Sequence, residues 1–566
     1  MPVNLNEAAG SASRRAAAPP AVPTALALAL VALLAWLQRS FWLNQCPGQI
    51  GWSCGSDWRD LQRVFILETF LCAGVAILGV FLAHGGATEQ LYRKLDKVSA
   101  QRATVVACVA AVAAPLFIAW STLDRFPNSS DEYAYIFQAH SFSKFRLWET
   151  PPVLGADLIP QRTWIFDHKW ISQYPPGWAL VLAAGSLLGL PLWTINPIIG
   201  GASVAALAIF CRLIADDRAA AGAAALYALT PFYAMNAASY FPHVFSSLMI
   251  LCACLCLQRD AASGWRKRLA GAGACLGAMA ATRYFDVLAL APAMLLWLFR
   301  TRPTLWPQKI ALLAAGFAPF AASILFYQYA VLDSPFRSTY SIIESPDASL
   351  SLDPAALTVG FLLIETRLAE LAVWTSPVLL VVYFFSLAAK WRARSIAFYD
   401  LIFPGFVIAY VAFGSLGGNR YGPRYYMDAY PLIFATIVSA GPAISTIMPG
   451  PIARRSALVG VVICLLCLVA VWPLAIVGFS RQVFGREESF RLAAEKGLTN
   501  AVVIDMRGDD FVRNPPTMDA PALFARPAAD VDALRRAFPQ RSIWRYSPPD
   551  GERPGQLVRV APPLEN

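Results

Sequence analysis

Charge is what this chain has least of. Asp, Glu, Lys and Arg together make up 14% of its 566 residues, against about a quarter in a soluble domain. Apolar residues make up 57%, which excludes a soluble globular protein and a disordered one. A glycine-rich phosphate cradle of the Walker type is missing, which argues against nucleotide chemistry. No internal repeat is visible. Ionisable residues are scarce within the apolar runs, where a transporter's relay or ion pathway would need them. The first apolar run lacks a small-residue cleavage site, so it reads as a retained span rather than a signal peptide.

What the chain has instead is length of apolar sequence. A span needs roughly 17–25 largely apolar residues. About thirteen runs qualify: 22–43, 64–84, 103–122, 193–213, 219–237, 238–258, 269–283, 284–299, 309–330, 366–389, 397–415, 426–446 and 456–479. The expected fold is a polytopic α-helical membrane protein with a small α/β domain outside the membrane. Residues 1–21, rich in Ala, Ser and Pro, are expected to be a disordered cytoplasmic N-terminus. Residues 22–479 form the membrane body and 480–566 the outer domain. The net charge of +10 does not point to nucleic acid, because Lys and Arg collect in alternate short loops. Arg14 and Arg15, Arg93 to Arg102, Arg266 to Arg268, Lys390 to Arg394, and Arg454 with Arg455 all fall on one side, the positive-inside pattern. With the N-terminus inside, an odd span count places the C-terminus outside.

Eleven cysteines are present, most of them within apolar runs, where thiols behave as small apolar groups. Cys252, Cys254 and Cys256 point in different directions on a helix, which argues against a metal site. Cys46 and Cys54 share the first external loop and are a candidate disulfide. Three regions lie outside: 123–192, 331–365 and the tail from 480. In the first, Asp131 to Trp148 reads as an amphipathic helix on the membrane surface. Tyr174-Pro175-Pro176-Gly177 opens a run to about Leu190, too short to span and so re-entrant or interfacial. In the tail, 501–505, 521–525 and 542–546 read as strands and 530–538 as a helix.

The acidic pair Asp131-Glu132, in Asn128-Ser129-Ser130-Asp131-Glu132-Tyr133, opens the first external loop. His140, Arg162, His168 and Lys169 follow in that loop. His243, Arg283, Arg337, Arg420 and Arg424 fall on the same side. Carboxylates and arginines at one membrane face suit transfer from a phosphate-linked donor: a carboxylate takes the acceptor proton, and guanidinium groups neutralise the leaving phosphate. Plainer readings stand beside these. Asp131 suits a helix cap and Glu132 a first-turn dipole residue. His243 is either a helix-end histidine or, with Asp131 or Glu132, a ligand of a divalent metal. Arg420 and Arg424 suit lipid headgroups.

The acidic pair, then Tyr174-Pro175-Pro176-Gly177, then a long apolar body resembles the GT-C glycosyltransferases, the superfamily of the protein O-mannosyltransferases and the lipid A aminoarabinose transferase. Thr230-Pro231-Phe232-Tyr233, Ser239-Tyr240-Phe241-Pro242-His243, Thr282-Arg283-Tyr284, Asp333-Ser334-Pro335-Phe336 and Gly422-Pro423-Arg424-Tyr425-Tyr426 resemble segments of its bacterial branches in the same order. So does the tail with Phe538-Pro539-Gln540-Arg541. The resemblance covers about 120–550. Two predicted spans, 22–43 and 64–84, precede the one that leads into the acidic loop, where the family core usually has that one alone.

That resemblance implies an external active site in a bacterial inner membrane, a polyprenyl-phosphate sugar donor, and inversion at the anomeric carbon. It implies Asp131 as the base, with Glu132 beside it, and Arg283, Arg420 and Arg424 on the donor phosphate. Tyr174, Pro175, Pro176 and Lys169 belong to the lid. The acceptor is a lipid, a glycan or a protein; nucleic acid is no partner, and no cofactor beyond the divalent metal is implied. The rival readings are a flippase of lipid-linked sugars, a ligase of whole glycans, and a scaffold presenting the tail.

Overall fold

The computed structural model describes residues 94, 97–258, 265–301, 303–342, 353–413, 421–550 and 553–564. The N-terminal stretch 1–21, the expected spans 22–43 and 64–84, Cys46, Cys54 and Arg420 lie outside them. The described chain is mainly helical. Helix α1 (Ala100–Ser121) leads to α2 (Ser130–Ser143), a hairpin of β1 (Thr163–Phe166) and β2 (Lys169–Ser172), and α3 (Pro176–Leu187). A body of packed helices follows, and then the tail.

Proline decides where the body breaks. Run 219–237 is two helices, Asp217–Leu229 and Pro231–Ala238. The second turns by 112° into His243–Gln258. Run 366–389 is likewise Pro354–Trp374 followed, after a 117° bend, by Pro377–Arg392. Runs 284–299 and 426–446 are also interrupted, at Leu290 and Ala440. Each expected span was drawn as one rod because hydropathy does not register that a proline at a first-turn position needs no N–H and starts a new helix. Among the described residues, four helices are long and apolar enough to cross a membrane, or six if each bent pair counts once. That corrects the evenly spaced spans read from hydropathy.

The breaks leave carbonyls without an intrahelical partner, and buried polar side chains meet them. Asn196 donates to the carbonyls of Asn236, Ser239 and Phe241 at 2.8–3.0 Å, across the 112° bend. The fully buried Arg367 donates to the carbonyls of Tyr410 and Phe413. These residues explain why the breaks are fixed features that can carry a site.

α2 is not a surface helix. Most of its residues, including Tyr135, Phe137, Gln138 and Phe142, are buried. It ends at Ser143, five residues short of Trp148, and packs on α3 and β2. Charged and amide groups suggest a solvated face by pattern alone; here the tail covers that face. The last long helix, Gly450–Glu495, runs 46 residues without interruption, through the position where the outer domain was expected to begin. Beyond it β3 (Ala501–Asp505), β4 (Ala522–Ala525), β5 (Ser542–Ser547) and β6 (Gln556–Ala561) form one sheet in the order β4-β3-β5-β6. Only β6 is antiparallel to its neighbour. The helix Val531–Ala537, capped by Asp530, lies between β4 and β5 in sequence and packs on β5.

Candidate active site

The site begins at the first turn of α2. Four N–H groups open every helix without an intrahelical partner. Here Ser129 Oγ accepts from Glu132 N at 3.2 Å, and Asp510 Oδ1, from the tail, accepts from Ser130 N at 2.9 Å. Ser129 is therefore the cap, which corrects the reading of Asp131 as one. The Asp131 carboxylate turns instead to three partners. Tyr174 Oη donates to its Oδ1 at 2.6 Å, Arg162 Nε lies 3.3 Å from Oδ1, and Arg424 Nη2 lies 3.4 Å from Oδ2. The Asp131 side chain is 20% exposed, so a substrate can reach it. Burial pushes its carboxyl up, but Arg424, Arg162 and the Tyr174 hydroxyl pull it down further, below the usual carboxylate range. Asp131 is ionised at neutral pH.

Glu132 faces the other way and is fully buried. Its Oε2 accepts from Tyr240 N at 3.1 Å, and its Oε1 from Ser129 Oγ at 3.3 Å and Tyr421 Oη at 3.4 Å. Glu132, expected beside the base, thus joins α2 to the break before His243 and to the loop of Arg424.

Each partner of Asp131 is held by a local device. Arg424 follows Gly422, whose φ is +85° and whose added Cβ would meet Phe232 and Trp374 ring carbons at 2.9–3.0 Å. Only glycine serves there. The Arg424 guanidinium lies 4.0 Å from the centre of the Phe241 ring, a desolvated cation–π contact that fixes its plane. Arg162 sits at φ 71° just before β1, a left-handed conformation that costs a non-glycine residue about 1–2 kcal/mol. Strain of this kind concentrates at functional sites. Asp167 and His168, also left-handed, make the two-residue turn between β1 and β2, whose twist favours positive φ at both positions. Tyr174 stacks on Tyr135 with ring centres 4.3 Å apart. Pro175 and Pro176 then start α3, and Gly177 lies so close to Ala281 that a Cβ would sit 2.7 Å from its backbone. The Tyr-Pro-Pro-Gly turn thereby holds a hydroxyl on the base. Lys169 reaches elsewhere: its Nζ donates to Asp333 Oδ1 at 2.9 Å and to the Ala330 carbonyl at 3.2 Å, tying the first external loop to the second.

A second polar cluster lies beside the first. Arg283 donates to Asp286 Oδ2 at 2.5 Å and to Tyr410 Oη at 2.6 Å, and lies 3.7 Å from Asp428 Oδ2. His243 Nδ1 is 2.7 Å from Asp428 Oδ1. His243 therefore pairs with Asp428 and not with Asp131 or Glu132, which corrects the metal grouping; the oxygens of Asp131 and Glu132 have the partners given above. Among the described residues no group of three or more His, Cys, Asp or Glu is arranged to hold a metal ion. Tyr135 is within electrostatic reach of Asp131, Arg283 and Arg424 and so connects the clusters. His140 and His168 are not among the partners of Asp131. Sequence reasoning placed Arg162 among the arginines of this face but did not pair it with Asp131, and it did not single out Tyr240, Tyr421, Asp286, Asp428 or Asp510. Asp286 was detectable as an acid three residues after Arg283, in ion-pair range on a helix; the others pair across more than a hundred residues or through loops.

No protein-family model matches the chain, and no curated protein matches it. Solved structures do. The archaeal oligosaccharyltransferase AglB from Archaeoglobus fulgidus, in complex with an inhibitory peptide and a dolichol-phosphate, is similar at 13% identity and a TM-score of 0.47, over 75% of this chain and 64% of that one. ArnT from Cupriavidus metallidurans bound to undecaprenyl phosphate is similar at 15% identity and a TM-score of 0.48, over 82% of this chain and 99% of that one. The chain thus spans less than two thirds of the archaeal enzyme. Both are GT-C glycosyltransferases; likeness at TM-scores below 0.5 transfers no residue role, substrate or partner.

Proposed function

We propose that this membrane protein is a glycosyltransferase that moves a sugar from a polyprenyl-phosphate donor to an acceptor hydroxyl at the external face of a bacterial inner membrane. The observation that carries this reading is Asp131, a reachable carboxylate flanked by two guanidinium groups and a tyrosine hydroxyl. The acceptor O–H gives its proton to Asp131. Its oxygen attacks the anomeric carbon from the face opposite the phosphate, and the C–O bond to phosphate breaks with its electron pair leaving on the phosphate oxygen. Arg424, Arg162 and Arg283 stabilise that charge; Arg420 belongs to the same proposal from the sequence. The ion pairs to Asp131, at 3.3–3.4 Å, are longer than tight charge-assisted bonds of about 2.7–2.9 Å. A donor phosphate competes for those arginines, and a carboxylate relieved of them is a stronger base. Tyr174, Pro175, Pro176 and Lys169 are read as the donor-side wall. No step here is routed through a metal.

The test is transfer by the purified protein in lipid, from radiolabelled undecaprenyl- and dolichol-phosphate sugars to a cell-envelope extract. Wild type is expected to move label and Asp131→Asn to move none while still binding donor. Normal turnover by Asp131→Asn overturns the base assignment. Donor crossing the membrane with no glycosidic product would make the protein a flippase.

A further inference from the structure

The tail does more than sit beside the site. Residues 127–133, which bracket Asp131, are tied to it four times. Asn128 Nδ2 donates to Gln482 Oε1 at 2.9 Å, Ser130 N to Asp510 Oδ1 at 2.9 Å, and Tyr133 Oη to the Arg513 carbonyl at 3.0 Å. Arg513, buried against the Phe126 ring, donates to the Pro127 carbonyl. The other carboxylate oxygen of Asp510 is paired with Arg486, at the end of the long helix. A second seam lies farther along the loop: Arg526 N donates to the Asp157 carbonyl at 2.9 Å, and Asn514 Nδ2 to the Leu158 carbonyl at 2.7 Å. The tail is docked at both seams. The first is concentrated on the one turn that carries the base.

We propose that Asp510 is a positioning residue for Asp131: held by Arg486, it takes the N–H immediately before the base and fixes the rotation of the first turn of α2, so that the carboxylate faces the donor and not the helix interior. This rests on the glycosyl-transfer reading above. The outer segment is then part of the catalytic centre, and an enzyme without it lacks a wall of its site.

Transfer kinetics on the full-length protein in lipid test this, with Asp510→Ala, Asp510→Glu, Tyr133→Phe and Asp131→Asn run together and folded fraction monitored by thermal unfolding. Misplacing a reacting group by an ångström costs up to about 100-fold. Asp510→Ala is expected to lower kcat about 10- to 100-fold at unchanged donor KM, and Asp510→Glu to recover most of it. Tyr133→Phe removes another tie and no charge; it is expected to lower kcat several-fold and keeps the test decisive where Asp510→Ala destabilises the fold. The inference is overturned if activity falls only with folded fraction, if KM alone changes, or if Asp510→Ala turns over normally. An inert Asp131→Asn beside a normal Asp510→Ala overturns only the positioning role. An active Asp131→Asn overturns the catalytic reading, and the positioning role with it.

Discussion

Asp131 and Glu132 are neighbours with opposite surroundings, and exchanging each for its amide separates them. Asp131→Asn is isosteric and leaves the packing untouched but gives up the charge facing Arg162 and Arg424 at a partly exposed site, so stability is expected to fall by no more than about 1 kcal/mol. Catalytic loss is expected to be complete to the limit of detection, since a general base alone contributes about 100- to 10,000-fold. Glu132→Gln does the reverse. Three donors converge on its two oxygens. An amide keeps one acceptor for Tyr240 N and turns its NH2 toward Ser129 and Tyr421, whose hydroxyls can rotate to accept. The net loss is about 1 kcal/mol, the worth of one hydrogen bond. Glu132→Ala orphans all three donors in a dry site at about 1–3 kcal/mol each, and is expected to lower the unfolding midpoint sharply. Thermal unfolding in lipid and single-turnover transfer per folded molecule read the two axes independently. If Glu132→Gln abolishes transfer at wild-type stability while Asp131→Asn keeps it, the assignment of base and anchor is reversed and the reasoning fails.

The remaining expectations concern the groups around the base. Gly422→Ala forces a Cβ into the Trp374 and Phe232 rings and displaces Arg424; donor KM should rise at least several-fold, and an unchanged KM would show that Arg424 does not meet the donor. Arg424→Lys keeps charge but loses the planar fork over Phe241, so transfer should fall where a point charge would have sufficed. The Asp131 carboxyl is held below its usual range in the free protein, so kcat/KM should stay flat through neutral pH and fall only as pH drops below that range. With donor bound the arginines are shared, and the acid limb of kcat should lie at higher pH. Tyr174→Phe removes one of the groups that lower this carboxyl, so it should move the kcat/KM limb upward; a limb that stays fixed would show that another group titrates.

The class of fold and the acidic turn that opens α2 were legible because they rest on local signals. A run of apolar residues has no other stable use, and an acidic pair after a serine at a helix start is visible in six letters. Arg162 was not legible as a partner of Asp131: its left-handed backbone and its approach depend on the hairpin folding back, and its neighbours Gln161 and Thr163 carry no sign of it. The bends at Ser239 to Pro242 and at Thr375-Ser376 were hidden for a different reason. Hydropathy averages over them, and Asn196, which bonds the carbonyls of the first bend, lies more than forty residues before it. Asp428 escaped because it sits inside an apolar run, where its partners His243 and Arg283 are brought by other helices. The strands at 501–505 and 542–546 were plain from alternation and β-branching, whereas β6, half exposed, shows too little pattern to be seen.

The unbroken helix Gly450–Glu495 is about 69 Å long at 1.5 Å per residue, more than twice the roughly 30 Å of a hydrocarbon core. A rod that long answers a thinner or thicker bilayer by tilting, and its outer end carries Gln482 and Arg486, two of the contacts around the turn of Asp131. A change in that tilt is expected to reach the turn of Asp131 through those contacts. Turnover compared in short-chain and long-chain lipids, at equal donor occupancy, would register it, and equal rates would mean that the rod slides without turning the helix it braces.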